Sequence, residues 1–164
     1  MARQDKYKDT WKALERLYEE GSVRAIGVSN FHVHHLKDLM KDSHVVPAVN
    51  QVELHPSLIQ QELQDFCGAQ NIQLEAWSPL MRGKLNDNTT ILGIAQKYGK
   101  TPAQIILRWD IQNKIVTIPK SVTPSRIREN AGIFDFVLTP DELKQIDSLN
   151  GNKRIGTDPD KLIF

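Results

Sequence analysis

RAIGVSN at residues 24–30, FHVHHLKDLMKDS at 31–43 and PAVNQVEL at 47–54 read in turn as strand, helix and strand. The outer two are short, nearly continuous apolar runs, the pattern of parallel strands covered on both faces. In the middle segment Leu36 and Leu39 fall on one helical face. The same alternation extends in both directions. Upstream, Trp11, Leu14, Leu17 and Tyr18 recur at helical spacing in TWKALERLYEEG, and Gly21 closes that helix. Downstream come LIQQELQDFCGAQN (helix), IQLEAWSPL from Ile72 (strand), then TTILGIAQKYG and TPAQIILRWDIQN (two helices). IVTIPKS from Ile115 is a fourth strand, followed by the helices TPSRIRENAGIF and TPDELKQIDSLN and the tail GTDPDKLIF.

Four parallel strands with flanking helices are therefore expected near 24–30, 47–53, 72–78 and 115–120, as one α/β domain over residues 1–164. No strand is followed by G-x-G-x-x-G, so the doubly wound dinucleotide fold lacks its fingerprint. The repeating βα unit fits a (β/α)₈ TIM barrel. A whole barrel takes about 250 residues, so this chain reads as half of one.

Composition bounds the function. A formal net charge of +1 excludes a global field for nucleic acid or an anionic membrane, so any anion site is local. Cys67 is the single cysteine; it forms no internal disulfide and reads as a buried thiol in a reducing, cytoplasmic setting. No apolar run is long enough for a membrane span, and MARQDKYKDT has no apolar signal core.

Three helices open with Thr-Pro: Thr101-Pro102, Thr123-Pro124 and Thr139-Pro140. Threonine suits the N-cap and proline the first helical position. Gln104 and Glu142 complete capping boxes in the first and third. In the second, that position holds Arg126, a cation at the positive end of the helix dipole, which costs up to about 1 kcal/mol uncompensated. Lys120 and Ser121 stand just upstream. This cluster is expected to hold a phosphate; the plainer alternative is a solvated basic patch. Its place after the last strand favours the phosphate, because barrels often bind phosphates there. The other strand ends also carry polar groups: Ser29 and Asn30; Asn50, Gln51 and Glu53; Trp77 and Ser78. All are expected to face one rim.

GVSNF at 27–31, NQVELHP at 50–56, WSPL at 77–80 and IPKSVTPSRIREN at 118–130 together resemble the aldo-keto reductases, in the branch of bacterial diketogluconate and glyoxal/methylglyoxal reductases. The resemblance covers the whole chain and implies the C-terminal half of a (β/α)₈ barrel that binds NADP(H). It assigns Ser29, Asn30 and Gln51 to the nicotinamide carboxamide and Trp77 to stacking on the nicotinamide ring. Ser78, Leu80 and the MRGK loop would follow the pyrophosphate. Lys120, Ser121 and Arg126 would hold the 2′-phosphate, with Glu129 and Asn130 at the adenine and ribose.

The family reaction is NADPH-dependent reduction of aldehydes and ketones. Its Asp, Tyr, Lys and His belong to the first half of the barrel, and the resemblance places none of them in this sequence. The chain alone is expected to be inactive, since general acid catalysis contributes about 10²–10⁴-fold. Tyr7, Tyr18 and Tyr98 read as packing or surface residues, and His55 as a loop histidine or a pocket wall. His32, His34 and His35 open a helix without partner ligands of known spacing and read as solvated or capping groups, so no metal is expected. Half a barrel has open edges and an uncovered inner face. Self-association or a complementing N-terminal half is therefore expected. A non-catalytic nucleotide-binding or self-associating module derived from the fold remains the alternative.

Overall fold

The computed structural model describes residues 6–161; residues 162–164 of the expected tail lie outside it. Four strands, β1 (Val28–Ser29), β2 (Val49–Glu53), β3 (Gln73–Trp77) and β4 (Val116–Thr117), form a sheet in sequence order. Seven helices accompany them among the described residues: α1 (Lys6–Glu19), α2 (Val33–Met40), α3 (Gln61–Ala69), α4 (Thr89–Tyr98), α5 (Pro102–Gln112), α6 (Pro124–Ala131) and α7 (Pro140–Asp147). The order α-βα-βα-βαα-βαα is the one expected from the sequence.

The strands are shorter than their apolar runs, and local backbone chemistry explains why. Pro47 and Pro119 have no N–H to give a ladder, which trims the start of β2 and the end of β4. Asn30 (φ 60°) and Ser78 (φ 53°) adopt left-handed backbone directly after β1 and β3 and end them. Ahead of β1, Ile26 O still accepts from Ala48 N–H at 2.8 Å, but the regular ladder covers only Val28–Ser29.

The chain divides into two compact units. Of the described residues, 6–52, 61–74 and 157–161 belong to the first, and residues 53–60 and 75–156 to the second. In the first, β1 pairs in parallel with β2, Val28 opposite Asn50 and Ser29 opposite Gln51. Its core joins Trp11 of α1, Ile26 and Leu39 of α2, with Tyr7, Leu14, Val28 and Phe31 packed around them. Glu15, buried on the same helix as Trp11, spends one carboxylate oxygen on the N–H groups of His44 (2.7 Å) and Val45 (2.9 Å). A buried charge is tolerated when hydrogen-bonded in this way. Gly27 is required at the β1–β2 approach, because a Cβ there would lie 2.7 Å from Val49 O.

In the second unit β3 pairs in parallel with β4, Glu75 opposite Val116 and Ala76 opposite Thr117. Helix α4 packs on α5 and α7, and α5 on α6. Ile91, Ile105, Ile106, Leu107, Trp109 and Ile146 are essentially fully buried there. Each such aliphatic side chain contributes about 1.5–3 kcal/mol on burial. Both expected capping boxes form. Thr101 N–H donates to Gln104 Oε1 at 3.0 Å, and Thr139 N–H donates to Glu142 Oε2 at 2.7 Å.

Candidate functional site

The candidate residues fall into two groups, one in each unit. In the first unit, the parallel register brings Ser29, Asn30 and Gln51 together at the C-terminal ends of β1 and β2. Ser29 Oγ donates to Gln51 O at 3.0 Å, and Asn30 N–H donates to the same oxygen at 2.8 Å. The loop that carries Asn30 is fixed from below. Buried Asn50 donates its Nδ2 to Phe31 O at 2.8 Å and accepts from Phe31 N–H at 3.4 Å. The Ser29 hydroxyl and the backbone segments that carry the Asn30 and Gln51 amides thereby meet at one strand-end corner.

In the second unit, Trp77 closes β3, and a loop with unusual backbone follows it. Ser78, Met81 (φ 47°), Arg82 (φ 55°) and Gly83 (φ 84°) all sit in the left-handed region. Ser78 O accepts from Met81 N–H at 2.9 Å, and Leu80 O from Gly83 N–H at 2.7 Å. Such conformations cost non-glycine residues about 1–3 kcal/mol each and cluster at ligand clamps. Gly156 lies against the indole of Trp77, since a Cβ on it would come within 2.5 Å of Trp77 Cη2.

Beyond β4, α6 starts at Thr123 with no side-chain cap, unlike the helices capped by Thr101 and Thr139. Ser121 Oγ accepts from Thr123 N–H at 3.2 Å and folds the approach to the helix. Lys120 and Arg126 are exposed beside this start, while Ser121 and Asn130 are half-buried. Lysine, hydroxyl, uncapped helix start and arginine thus share one segment, as the sequence indicated. Glu129 also makes contacts within the fold. Its Oε1 accepts from Thr101 Oγ1 at 2.8 Å, and its backbone oxygen accepts from Gln104 Nε2 at 3.0 Å. One carboxylate oxygen therefore ties α6 to the start of α5, a side-chain contact that sequence spacing does not reveal.

Sequence spacing also misses the anchor supplied from beyond α7. Glu53, buried, accepts from Ile155 N–H at 2.6 Å and Gly156 N–H at 3.1 Å, with Arg154 Nη1 3.9 Å away. His55 lies in the connection between β2 and α3, as read from the sequence, but it is fully buried there, with Nε2 3.1 Å from Glu53 Oε1. Burial pushes its pKa down. Cys67 is buried as expected, and desolvation pushes its thiol up to about 11, away from reactivity. Tyr98 donates to Glu142 Oε2 at 2.7 Å, the packing role read from the sequence.

Comparison with known proteins gives the chain its relatives. The profile of the Aldo/keto reductase family matches residues 1–151. Glyoxal reductase of Bacillus subtilis (strain 168) is 59% identical over 160 residues, covering 98% of this chain and 58% of that protein. Methylglyoxal reductase DkgA of Escherichia coli (strain K12) is 47% identical, covering 96% of this chain and 58% of its own length. A crystal structure of a Gox0644 mutant in complex with NADPH superposes with a TM-score of 0.94 at 44% identity, over 98% of this chain and 60% of that one. The chain thus spans rather more than half the length of the relatives it matches. Among the described residues no helix is long and apolar enough to cross a membrane.

Proposed function

The chain belongs to the aldo/keto reductase family, and from that premise we propose that it forms the NADP(H)-holding side of a carbonyl reductase. The observation that carries this is the start of α6, the one Thr-Pro helix whose threonine side chain does not cap it, flanked by exposed Lys120 and Arg126. A 2′-phosphate supplies what that segment lacks: an anion on the free N–H groups and a partner for both cations. Arg126 at the third helical position then gains from the site, and its dipole penalty is offset when the phosphate is bound. Ser29, Asn30 and Gln51 would hold the carboxamide, and Trp77 would stack on the nicotinamide and set the face that gives up hydride. The strained loop through Ser78 and Leu80 would run beside the pyrophosphate, with Glu129 and Asn130 at the adenine and ribose. NADPH supplies the hydride; the residues of this chain bind and orient it.

Reduction of an aldehyde or ketone also needs a general acid. In this reading it comes from the family's Asp, Tyr, Lys and His on a complementing N-terminal half, and these residues alone would bind cofactor without turning over. Val116 and Ile118 at β4 are each more than 40% exposed, which supports a partner surface, either that complement or a second copy of the chain in a reducing, cytoplasmic setting. Sedimentation at micromolar concentration checks the association; a compact monomer with native near-UV CD contradicts it.

The deciding experiment is a fluorescence titration of NADPH against NADH, with Arg126→Ala alongside. A preference for NADPH that Arg126→Ala removes, a loss of about tenfold or more if a charged hydrogen bond of 1.5–3 kcal/mol is broken, is the expected result. Equal affinity of the unaltered chain for both cofactors defeats the 2′-phosphate assignment.

A further inference from the structure

We propose that the start of α2 and the C-terminal tail, both in the first unit, form a binding site for a divalent transition metal of the zinc class, with His32, His34 and Asp160 as ligands. One nitrogen from each histidine and one carboxylate oxygen lie within 4.8 Å of one another. His34 Nε2 is 3.1 Å from Asp160 Oδ1, and His32 Nδ1 is 3.3 Å from Oδ2. Ligands about 2.0–2.1 Å from a tetrahedral metal stand roughly 3.3–3.4 Å apart. The His32 pair already has that spacing and the His34 pair is a little closer, each to a different oxygen of Asp160.

The donor set selects the metal. Two imidazole nitrogens and one carboxylate oxygen suit zinc, nickel or copper, whereas magnesium and calcium take oxygen ligands. Three protein ligands leave a fourth position for water. The outer contacts also fit. His32 N–H donates to His35 Nδ1 at 3.1 Å, which leaves the proton of a neutral His35 on Nε2, 3.5 Å from Asp160 Oδ1. His35 is thereby a positioning residue for the carboxylate, the role that outer groups play around metal ligands. Its ring also packs against that of His34, with centroids 3.9 Å apart. Asp158 Oδ1, 3.9 Å from His32 Nε2, adds a second negative charge nearby. His34 and Asp160 are 62% and 45% exposed at the side chain, so a metal reaches them without opening the fold. A bound metal clamps the tail to α2 two residues beyond Asn30.

Equilibrium dialysis and calorimetry of the untagged chain with zinc chloride, and in parallel with magnesium chloride, test this. One saturable zinc per chain and no magnesium binding are expected. The cobalt(II) derivative is expected to show the visible absorption of tetrahedral coordination. His35→Gln is expected to weaken zinc about 10–100-fold, and His34→Gln and Asp160→Asn to weaken it at least as much and to abolish the cobalt bands. Far-UV CD of these surface variants verifies that they fold. Absence of saturable zinc binding, or variants that bind like the unaltered chain, overturns the site and leaves only an imidazole–carboxylate ion-pair cluster.

Discussion

Gly156→Ala tests whether the segment beyond α7 fixes the orientation of Trp77. A Cβ at Gly156 would lie 2.5 Å from Trp77 Cη2, 3.4 Å from Cζ2 and 3.1 Å from Glu53 Oε2. Carbon atoms in contact stand about 3.5–4.0 Å apart, so the indole or the segment has to move by about 1 Å. The segment is not free to move. Gly156 N–H and Ile155 N–H both donate to the buried Glu53 carboxylate, and Arg154 Nη2 lies 3.3 Å from Gln60 Oε1. If the indole yields, overpacking costs about 1–3 kcal/mol. If the segment lifts, hydrogen bonds to a charged group are lost at about 1.5–3 kcal/mol each. Both routes destabilise by at least about 1 kcal/mol, a shift in the urea midpoint of at least about 0.3 M for an m-value of about 1–3 kcal/mol/M.

Urea unfolding followed by CD measures that shift, and a double-mutant cycle identifies its source. Trp77→Leu removes the ring edge, so Gly156→Ala should cost less on that background, with coupling of about 0.5–3 kcal/mol. NADPH affinity should fall along with stability in the single Gly156→Ala variant, because the displaced indole is the proposed nicotinamide platform. An unchanged urea midpoint for Gly156→Ala, or an equal cost with and without Trp77, refutes the packing argument.

Asp110 is buried, accepts from Thr117 Oγ1 at 2.8 Å through Oδ2, and has no partner for Oδ1 among the described residues. Burial pushes its carboxyl well above the usual range. The contribution of its neutral form is therefore full below the unfolded value of about 3.9 and is lost as pH rises, so Asp110→Asn should stabilise the chain at pH 7 and gain little at pH 4, as urea midpoints at the two pH values will read. Glu142 is the opposite case. Burial pushes its carboxyl up, but Lys97 at 2.6 Å, Thr139 N–H and Tyr98 outweigh that and hold it down to about 2. Its contribution is present above the ordinary value of 4.5 and is lost as pH falls toward about 2; Glu142→Gln should cost about 1.5–3 kcal/mol at pH 7 and flatten acid unfolding, and an unchanged acid limb would contradict this.

What the sequence made legible follows the range of the interactions. The capping boxes at Thr101–Gln104 and Thr139–Glu142 depend on residues three apart, and both form. The anomaly at Arg126 is equally local, and α6 indeed starts without a side-chain cap. Strand ends were less legible because an apolar run does not register where a proline or a left-handed residue stops the ladder. The tail was illegible. Arg154, Ile155 and Gly156 show no helical or strand period, yet they satisfy Glu53 from across the sequence. Asp160 likewise meets His32 and His34 only through folding. No spacing rule connects positions so far apart.

The same distinction separates the two halves of the proposed cofactor site. The phosphate segment, Lys120 to Asn130, is continuous in the chain, and its chemistry survives as long as α6 forms. The carboxamide corner is different. Ser29 and Asn30 meet Gln51 only because β1 and β2 pair in the register Val28–Asn50 and Ser29–Gln51. A one-residue slip would turn every side chain of β1 to the opposite face. Two features hold that register. Gly27 admits the close approach to Val49 O, and Asn50 grips both backbone polar groups of Phe31. GVSNF and NQVE are thus read better as one paired structure than as two motifs. Glycine and Asn50 set the alignment, while serine, Asn30 and glutamine present the polar groups that alignment makes useful.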